Sequence, residues 1–407
     1  MKKSFGIYII FILITVWFVG QVLYPSSRNL THGFGAYYSA ARLLRTGQLS
    51  GSIYDPAYFR TITLEDSHQQ VDDIYNANPP TTSLMFWPLS FFSIEVARVI
   101  WIVANALMLW GGIAFLVWTF GDRPIPVTYF ALLSLGMLFQ PAIQNIRLGQ
   151  AYLFIFLLLA ITTVAFERRE AKWGGLSLAM ALLLKTVGWA ILPLLGWQRR
   201  WRYLAWTLGI TGIILLLTLP LFPLSIWQAY LRLLAEVNQS PQVCVTAYQT
   251  TRSLLCHTLV FHKTWNPSPL IHLPWLARWL YLVLALITLI LSFHLSRQNQ
   301  TAAFISLIAW GVVFGPLGEQ YHHSLMLIPI AWLILRWHAG KLPGRTEKWG
   351  IGIAILLYIY PFHIGHPQFQ DGWWALLAYP RVYSAWLILL AIYSPLLQHL
   401  YARLLHR

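Results

Sequence analysis

Apolar residues run through this chain in long blocks flanked by basic and aromatic residues, and the polar positions gather between the blocks. Blocks of this length predict membrane spans at 5–24, 95–119, 127–143, 150–166, 203–223, 274–294, 301–317, 321–337, 349–362 and 381–400. The stretch 173–197 resists a single crossing. Lys172 precedes it and Arg199, Arg200 and Arg202 follow it, so one span would strand a basic cluster on the wrong side. Two short halves meeting near Lys185 keep both clusters together. Twelve residues of helix reach about 18 Å against a hydrocarbon core of about 30 Å, so such a hairpin has to lean on protein or line a wet cavity. With its two halves the chain reads as one all-α, polytopic membrane domain, 1–407, of about twelve transmembrane or re-entrant helices. Two long stretches, 25–82 and 224–273, fall between spans, and loops this long are usually functional. In the first, apolar residues at three-and-four spacing over 36–44 and 54–64 predict helices suited to lying in the interface.

Composition sharpens this picture. Hydrophobic residues make up 57% of the chain and charged residues 10%, far below the roughly 25% charged of a soluble domain. The formal net charge of +15 does not point to nucleic acid, because the basic residues sit at the ends of apolar runs and not in a block with interleaved aromatics. With both termini cytoplasmic, 16 of the 28 Lys/Arg but only four of the 13 Asp/Glu fall inside. The short inner loops are then strongly basic, as orientation requires. Lys2 and Lys3 start an apolar run long enough to span, with no small-residue cleavage site after it, which reads as an uncleaved first helix. Cys244 and Cys256, twelve apart, do not have a zinc spacing; they can form a disulfide if their loop is extracytoplasmic.

Five motifs follow one another along the chain: "HGFGAYYSAARLLRTGQLSGSIYDP" at 32–56, "YNANPP" at 75–80, "RLGQAYLFIFLLLA" at 147–160, "LAMALLLKTVGWAILPLL" at 178–195 and "GPLGEQYHHSLMLIP" at 315–329. In this order they resemble glycosyltransferase family 87, from about residue 28 to 330. The resemblance implies a membrane-embedded GT-C fold. It also implies a polyprenyl-phosphate sugar donor, carrying mannose or arabinofuranose, and transfer with inversion and without nucleotide, metal or cofactor. The site is a bacterial cytoplasmic membrane, and the acceptor a lipid-linked or cell-envelope glycan at the outer face. One departure stands out. The family opens its first loop with an Asp taken as general base, and that position here is Gly33.

A polyprenyl-phosphate sugar brings its own leaving group, so the protein has to balance charge on the phosphate and deprotonate the acceptor hydroxyl. For the first task the candidates are Arg147, Gln150, Lys185, His322 and His323. Lys185 in an apolar run reads either as a phosphate ligand or as a snorkelling side chain, and Arg147 either as a ligand or as a helix-flanking charge. For the second, His32 beside Gly33 is a candidate base or an ordinary loop histidine. Asp55 is a candidate acid or a helix cap before Pro56. Glu319, His322 and His323 stand at i, i+3 and i+4, which puts them on one helical face. They read as a phosphate or sugar site, as structural hydrogen-bonding groups, or as a metal site, though adjacent imidazoles on a helix diverge by about 100°. Tyr37, Tyr38 and Asn76 are candidates for sugar and acceptor contacts. Among the other outer carboxylates, Asp66, Asp72, Asp73 and Asp371, the adjacent pair Asp72–Asp73 reads as solvated loop. Two rivals to a glycosyltransferase remain: a catalytically silent relative that binds lipid-linked sugar, which Gly33 favours, and a transporter or flippase, for which matched broken repeats are not evident.

Overall fold

The computed structural model describes residues 2–121, 126–342, 344–370 and 372–405. Among these residues the chain is helical. Extended pairing is confined to two isolated bridges, Tyr248 with Glu319 and His262 with Asn266. Five helices are long and apolar enough to cross a bilayer: Gly6–Arg28, Ile94–Phe120, Trp201–Thr218, Pro274–Leu295 and Pro380–Ala402. A sixth is counted if Val127–Leu138 and Gln140–Leu148, bent by 54°, form one span.

The count of about twelve spans is not reached on this measure, and the reasons are local. The bend follows Phe139, where Pro141 opens the second helix and has no N–H to continue the ladder. Tyr152–Glu167 has 16 residues, about 24 Å of helix, and Gln300–Val313 has 14. Both bury most of their residues against protein, so neither needs the length of a lipid-facing span. The block 321–337 starts as a 3-10 turn, Gln320–Met326, and becomes α-helical only at Leu327–His338.

The stretch 173–197 breaks where the basic clusters required. Ala171–Lys185 ends at Thr186, which is left-handed (φ 53), and the chain resumes as Ile191–Trp197. Its first half packs on Tyr152–Glu167 and on Trp201–Thr218. Gly174 and Gly175 make that second crossing close, since a Cβ on either would collide with Tyr203 or Trp206. Arg169, Lys172, Arg199, Arg200 and Arg202 consequently line one groove.

At the other end of Ala171–Lys185 the two long loops pack on each other. The periodic stretches of the first loop form Phe34–Arg45 and Pro56–Asp66. Phe34–Arg45 does not lie in an interface as expected: nearly all of it is buried, because Thr81–Phe86 and the turn Trp87–Phe91 pack against it. From the second loop, Leu224–Gln239 lays Ile226 and Tyr230 on Ile53, Tyr54, Phe59 and Tyr75, which closes a small separate core. Cys244 and Cys256 form a disulfide with Cα atoms 4.8 Å apart.

Candidate functional site

Under the packed loops lies a cavity of about 530 Å³. Its floor is built around Gly33, whose φ of +89° suits glycine because a Cβ there is strained. A Cβ at Gly33 would also run into the amide of Gln150, so a side chain here would be strained and would displace Gln150. A carboxylate reaches the place from elsewhere. Asp73 Oδ2 accepts from the Gly33 N–H at 2.5 Å and the Ala36 N–H at 3.3 Å, and its Oδ1 accepts from Ile74 N–H at 2.9 Å. Asp73 thus caps the N-terminus of Phe34–Arg45, where a negative charge is favoured. Its side chain is 11% exposed, and His32 Nδ1, on a side chain 69% exposed, stands 3.9 Å from Oδ1. Burial pushes the Asp73 carboxyl above the usual carboxylate range, and the N–H groups of Gly33 and Ile74 partly offset this.

One wall carries a cation. Lys185, the last residue of its helix, donates from Nζ to Asn78 Oδ1 and lies over the rings of Tyr37 at 5.2 Å and Tyr152 at 5.8 Å. Tyr37 donates its hydroxyl to Gln150 Oε1 at 2.6 Å, and Asn78 donates to Tyr75 O. Electron-rich ring faces and an amide oxygen hold the ammonium without a carboxylate salt bridge.

The roof is the turn Gln320–Met326, and its geometry separates three residues that an α-helix would have grouped. In a 3-10 turn, residues three apart eclipse. Glu319 and His322 therefore both line the cavity, joined by His322 N–H donating to Glu319 O at 3.0 Å. His322 packs its ring at 4.0 Å from Tyr152 and 4.6 Å from Tyr321, and its buried Nδ1 has no protein partner. Tyr321 donates to Glu319 Oε1 at 3.1 Å. Burial raises the Glu319 carboxyl, with the Tyr321 hydrogen bond and Lys185 opposing. His323 turns away: it is fully buried, paired through Nδ1 with Tyr358 Oη at 2.8 Å and through Nε2 with Gln249 O at 2.7 Å.

The lining is mixed in character: beside the polar groups above, Leu159, Leu307, Ile308, Val312 and Trp189 also face the cavity. The cavity adjoins a smaller pocket of about 360 Å³, sharing Ile74, Asn76, Val237 and Tyr248 with it.

His32, Tyr37, Asn76, Gln150, Lys185, Glu319 and His322 all line the cavity. Four other residues singled out in the sequence do not. Asp55 caps Pro56–Asp66 by accepting from Ala57 N–H at 2.9 Å. Tyr38 donates to Phe92 O at 2.8 Å. Arg147 contributes only its carbonyl, which accepts from Thr31 at 3.0 Å and from the buried Arg98 at 2.7 Å. His323 is spent on the two hydrogen bonds above. Asp371 lies outside the described residues. The sequence reading took Asp73, with Asp72, for solvated loop, which the burial of Asp73 corrects, and it passed over Asn78, Tyr152 and Tyr321. The sequence held no signal for the direction of Asp73: only the structure shows Asp72 beside Arg60 at 3.5 Å on the surface and Asp73 turned inward. Among the described residues no group of three His, Cys, Asp or Glu is placed to hold a metal ion.

In comparison with known proteins, the family model described as Glycosyltransferase family 87 matches residues 76–318, more than half of the chain. The match begins just after Asp73 and ends just before Glu319. No curated protein and no solved structure matches.

Proposed function

The chain belongs to glycosyltransferase family 87, and from that premise we propose that it moves a sugar from a polyprenyl-phosphate donor to a lipid-linked or cell-envelope glycan. The sugar is mannose- or arabinofuranose-like. The reaction takes place at the extracytoplasmic face of a bacterial cytoplasmic membrane, on a GT-C-type scaffold with both termini inside. The observation that carries this reading is a single cavity lined by a cation, an imidazole, two carboxylates and several large apolar side chains. The apolar lining suits a prenyl chain and the polar groups a sugar phosphate.

In the reaction the acceptor hydroxyl oxygen forms a bond to the anomeric carbon while the bond from that carbon to the phosphate oxygen breaks. The electron pair leaves with the phosphate. Lys185 and His322 face that developing charge: the ammonium supplies a fixed counter-charge, and the unpartnered imidazole nitrogen supplies a hydrogen-bonding site at close range. Asp73, with His32 beside it, takes the hydroxyl proton. A carboxyl raised by burial suits this role, because a base works best with a pKa nearer the working pH. Tyr37, Gln150, Asn76 and Asn78 offer donors and acceptors to sugar hydroxyls, and Glu319 orients the acceptor or the sugar. Inversion follows from a single displacement with leaving group and nucleophile on opposite sides.

The Gly33 departure favours the rival of a silent, sugar-binding relative, and one assay separates the two. Purified protein in detergent is given radiolabelled polyprenyl-phosphate mannose or arabinofuranose and an envelope lipid extract. Labelled product from the wild type, reduced about 10²-fold or more in Lys185→Ala, is expected. Donor binding without product would support the silent relative.

A further inference from the structure

At the opposite end of the molecule, we propose that the basic groove is a binding site for the headgroup of an anionic phospholipid. The groove has a volume of about 700 Å³. Four helix ends meet there: the C-termini of Tyr152–Glu167 and Ile191–Trp197, and the N-termini of Ala171–Lys185 and Trp201–Thr218. Arg169, Lys172, Arg199, Arg200 and Arg202 line it against a single carboxylate, Glu170. Arg200 is committed to the protein, donating to Gln300 Oε1 at 2.6 Å and lying 4.8 Å over Phe166. The other four cations have no carboxylate within ion-pair distance among the described residues.

Two of them are held against backbone preference. Arg169 (φ 61) and Arg199 (φ 55) are both left-handed, a conformation unfavourable for a side-chain-bearing residue and usually left to glycine. Each follows a helix with the same pair of bonds, Arg169 N–H to Phe166 O with Glu170 N–H to Ala165 O, and Arg199 N–H to Gly196 O with Arg200 N–H to Leu195 O. A helix C-terminus welcomes a cation, which accounts for each arginine singly. It does not account for two such turns being brought together in one hollow, where like charges repel. An anion resolves that repulsion.

The surroundings choose a lipid as its source. Trp173, Trp201 and Trp206 stand exposed at the rim, and the helix leading away from it exposes Leu208, Ile213, Leu216 and Leu217. The groove is thus continuous with a lipid-facing surface, so a headgroup held here places its acyl chains along Trp201–Thr218. Basic pockets between membrane helices recognise lipid headgroups in this way, and tryptophans mark the interfacial level.

The test uses the full-length protein in neutral detergent, with phosphatidylglycerol, phosphatidylcholine or inorganic phosphate added separately. Native mass spectrometry counts retained lipid, and thermal unfolding reports stabilisation. Phosphatidylglycerol is expected to be retained and to raise the unfolding midpoint, an effect weakened by salt, while phosphatidylcholine does neither. Arg169→Gln/Arg199→Gln/Arg202→Gln is expected to bind at least about tenfold more weakly, tenfold corresponding to about 1.4 kcal/mol. Single variants Lys172→Gln and Arg202→Gln, at exposed positions, give smaller losses and guard against misfolding of the triple variant. Equal retention by wild type and variants, or equal stabilisation by inorganic phosphate, would overturn the proposal. Because neither readout involves sugar transfer, its failure leaves the glycosyltransferase reading untouched, and the reverse holds too.

Discussion

At the scale of single residues, the telling substitution is an absence. Gly33 has no carboxyl, yet the oxygen of Asp73 lies 2.5 Å from its amide. A base is defined by where its oxygen sits and how readily it takes a proton, not by the position in the chain that supplies it. This assigns Asp73 a pH signature. Its carboxyl is raised by burial, and as the proposed base it acts in its deprotonated form. Transfer should therefore rise with pH along a limb displaced above the ordinary carboxylate range. Asp73→Asn is expected to remove that limb and about 10²–10⁴-fold of the rate, measured as initial rates from acid to neutral pH. A wild-type limb that survives in Asp73→Asn would assign the proton to another group. Much of the site was legible in the sequence because it lay in motifs: Tyr37, Asn76, Gln150, Lys185, Glu319 and His322 were all singled out there. Asp73 was weighed there but read as solvated loop, because sequence does not give the direction of a loop side chain; its burial depends on tertiary contacts with Gly33 and Ala36.

Among elements, the long apolar blocks and the break after Lys185 were legible, since hydrophobic length and the placement of basic residues are physical requirements of a bilayer. The 3-10 turn at Gln320–Met326 was not, since hydrogen bonding to the third residue instead of the fourth can leave the same apolar pattern. The change keeps His322 with Glu319 and turns His323 away. Another element-level feature is the turn at Gly149 (φ 67), clamped by Trp101 Nε1 donating to Gly149 O at 2.8 Å. A Cβ at Gly149 would strike the Arg98 guanidinium and Phe34. Gly149→Ala should cost roughly 2–4 kcal/mol, combining left-handed strain with overpacking. The cost is read as a lowered unfolding midpoint in detergent; an unchanged midpoint would mean that Arg98 can withdraw freely.

For the molecule as a whole, the packing puts the long loops and the basic groove at opposite ends of Ala171–Lys185, whose residues Lys172 and Lys185 are separated by about 20 Å of helix. The charge distribution in the sequence predicts that the basic groove faces the cytosol, and cysteine labelling tests it. With Cys244 and Cys256 disulfide-bonded, an impermeant maleimide should label Gln70→Cys in intact cells, and Arg202→Cys only after permeabilisation. Both labelled from one side would sink the sidedness and, with it, the proposed location of catalysis. The break after Lys185 and the separation of the two ends were readable in the sequence; the mutual packing of the loops was not. Nothing along the chain says that Leu224–Gln239 closes over Tyr54 and Tyr75.

That closure has a consequence for biogenesis. The floor of the pocket comes from the first eighty residues, its wall from Lys185 and its roof from Glu319 and His322. During synthesis the chamber therefore lacks its lid helix and its roof until the second half of the chain is made. If the proposed mechanism holds, a chain truncated before Glu319 is expected to transfer no sugar.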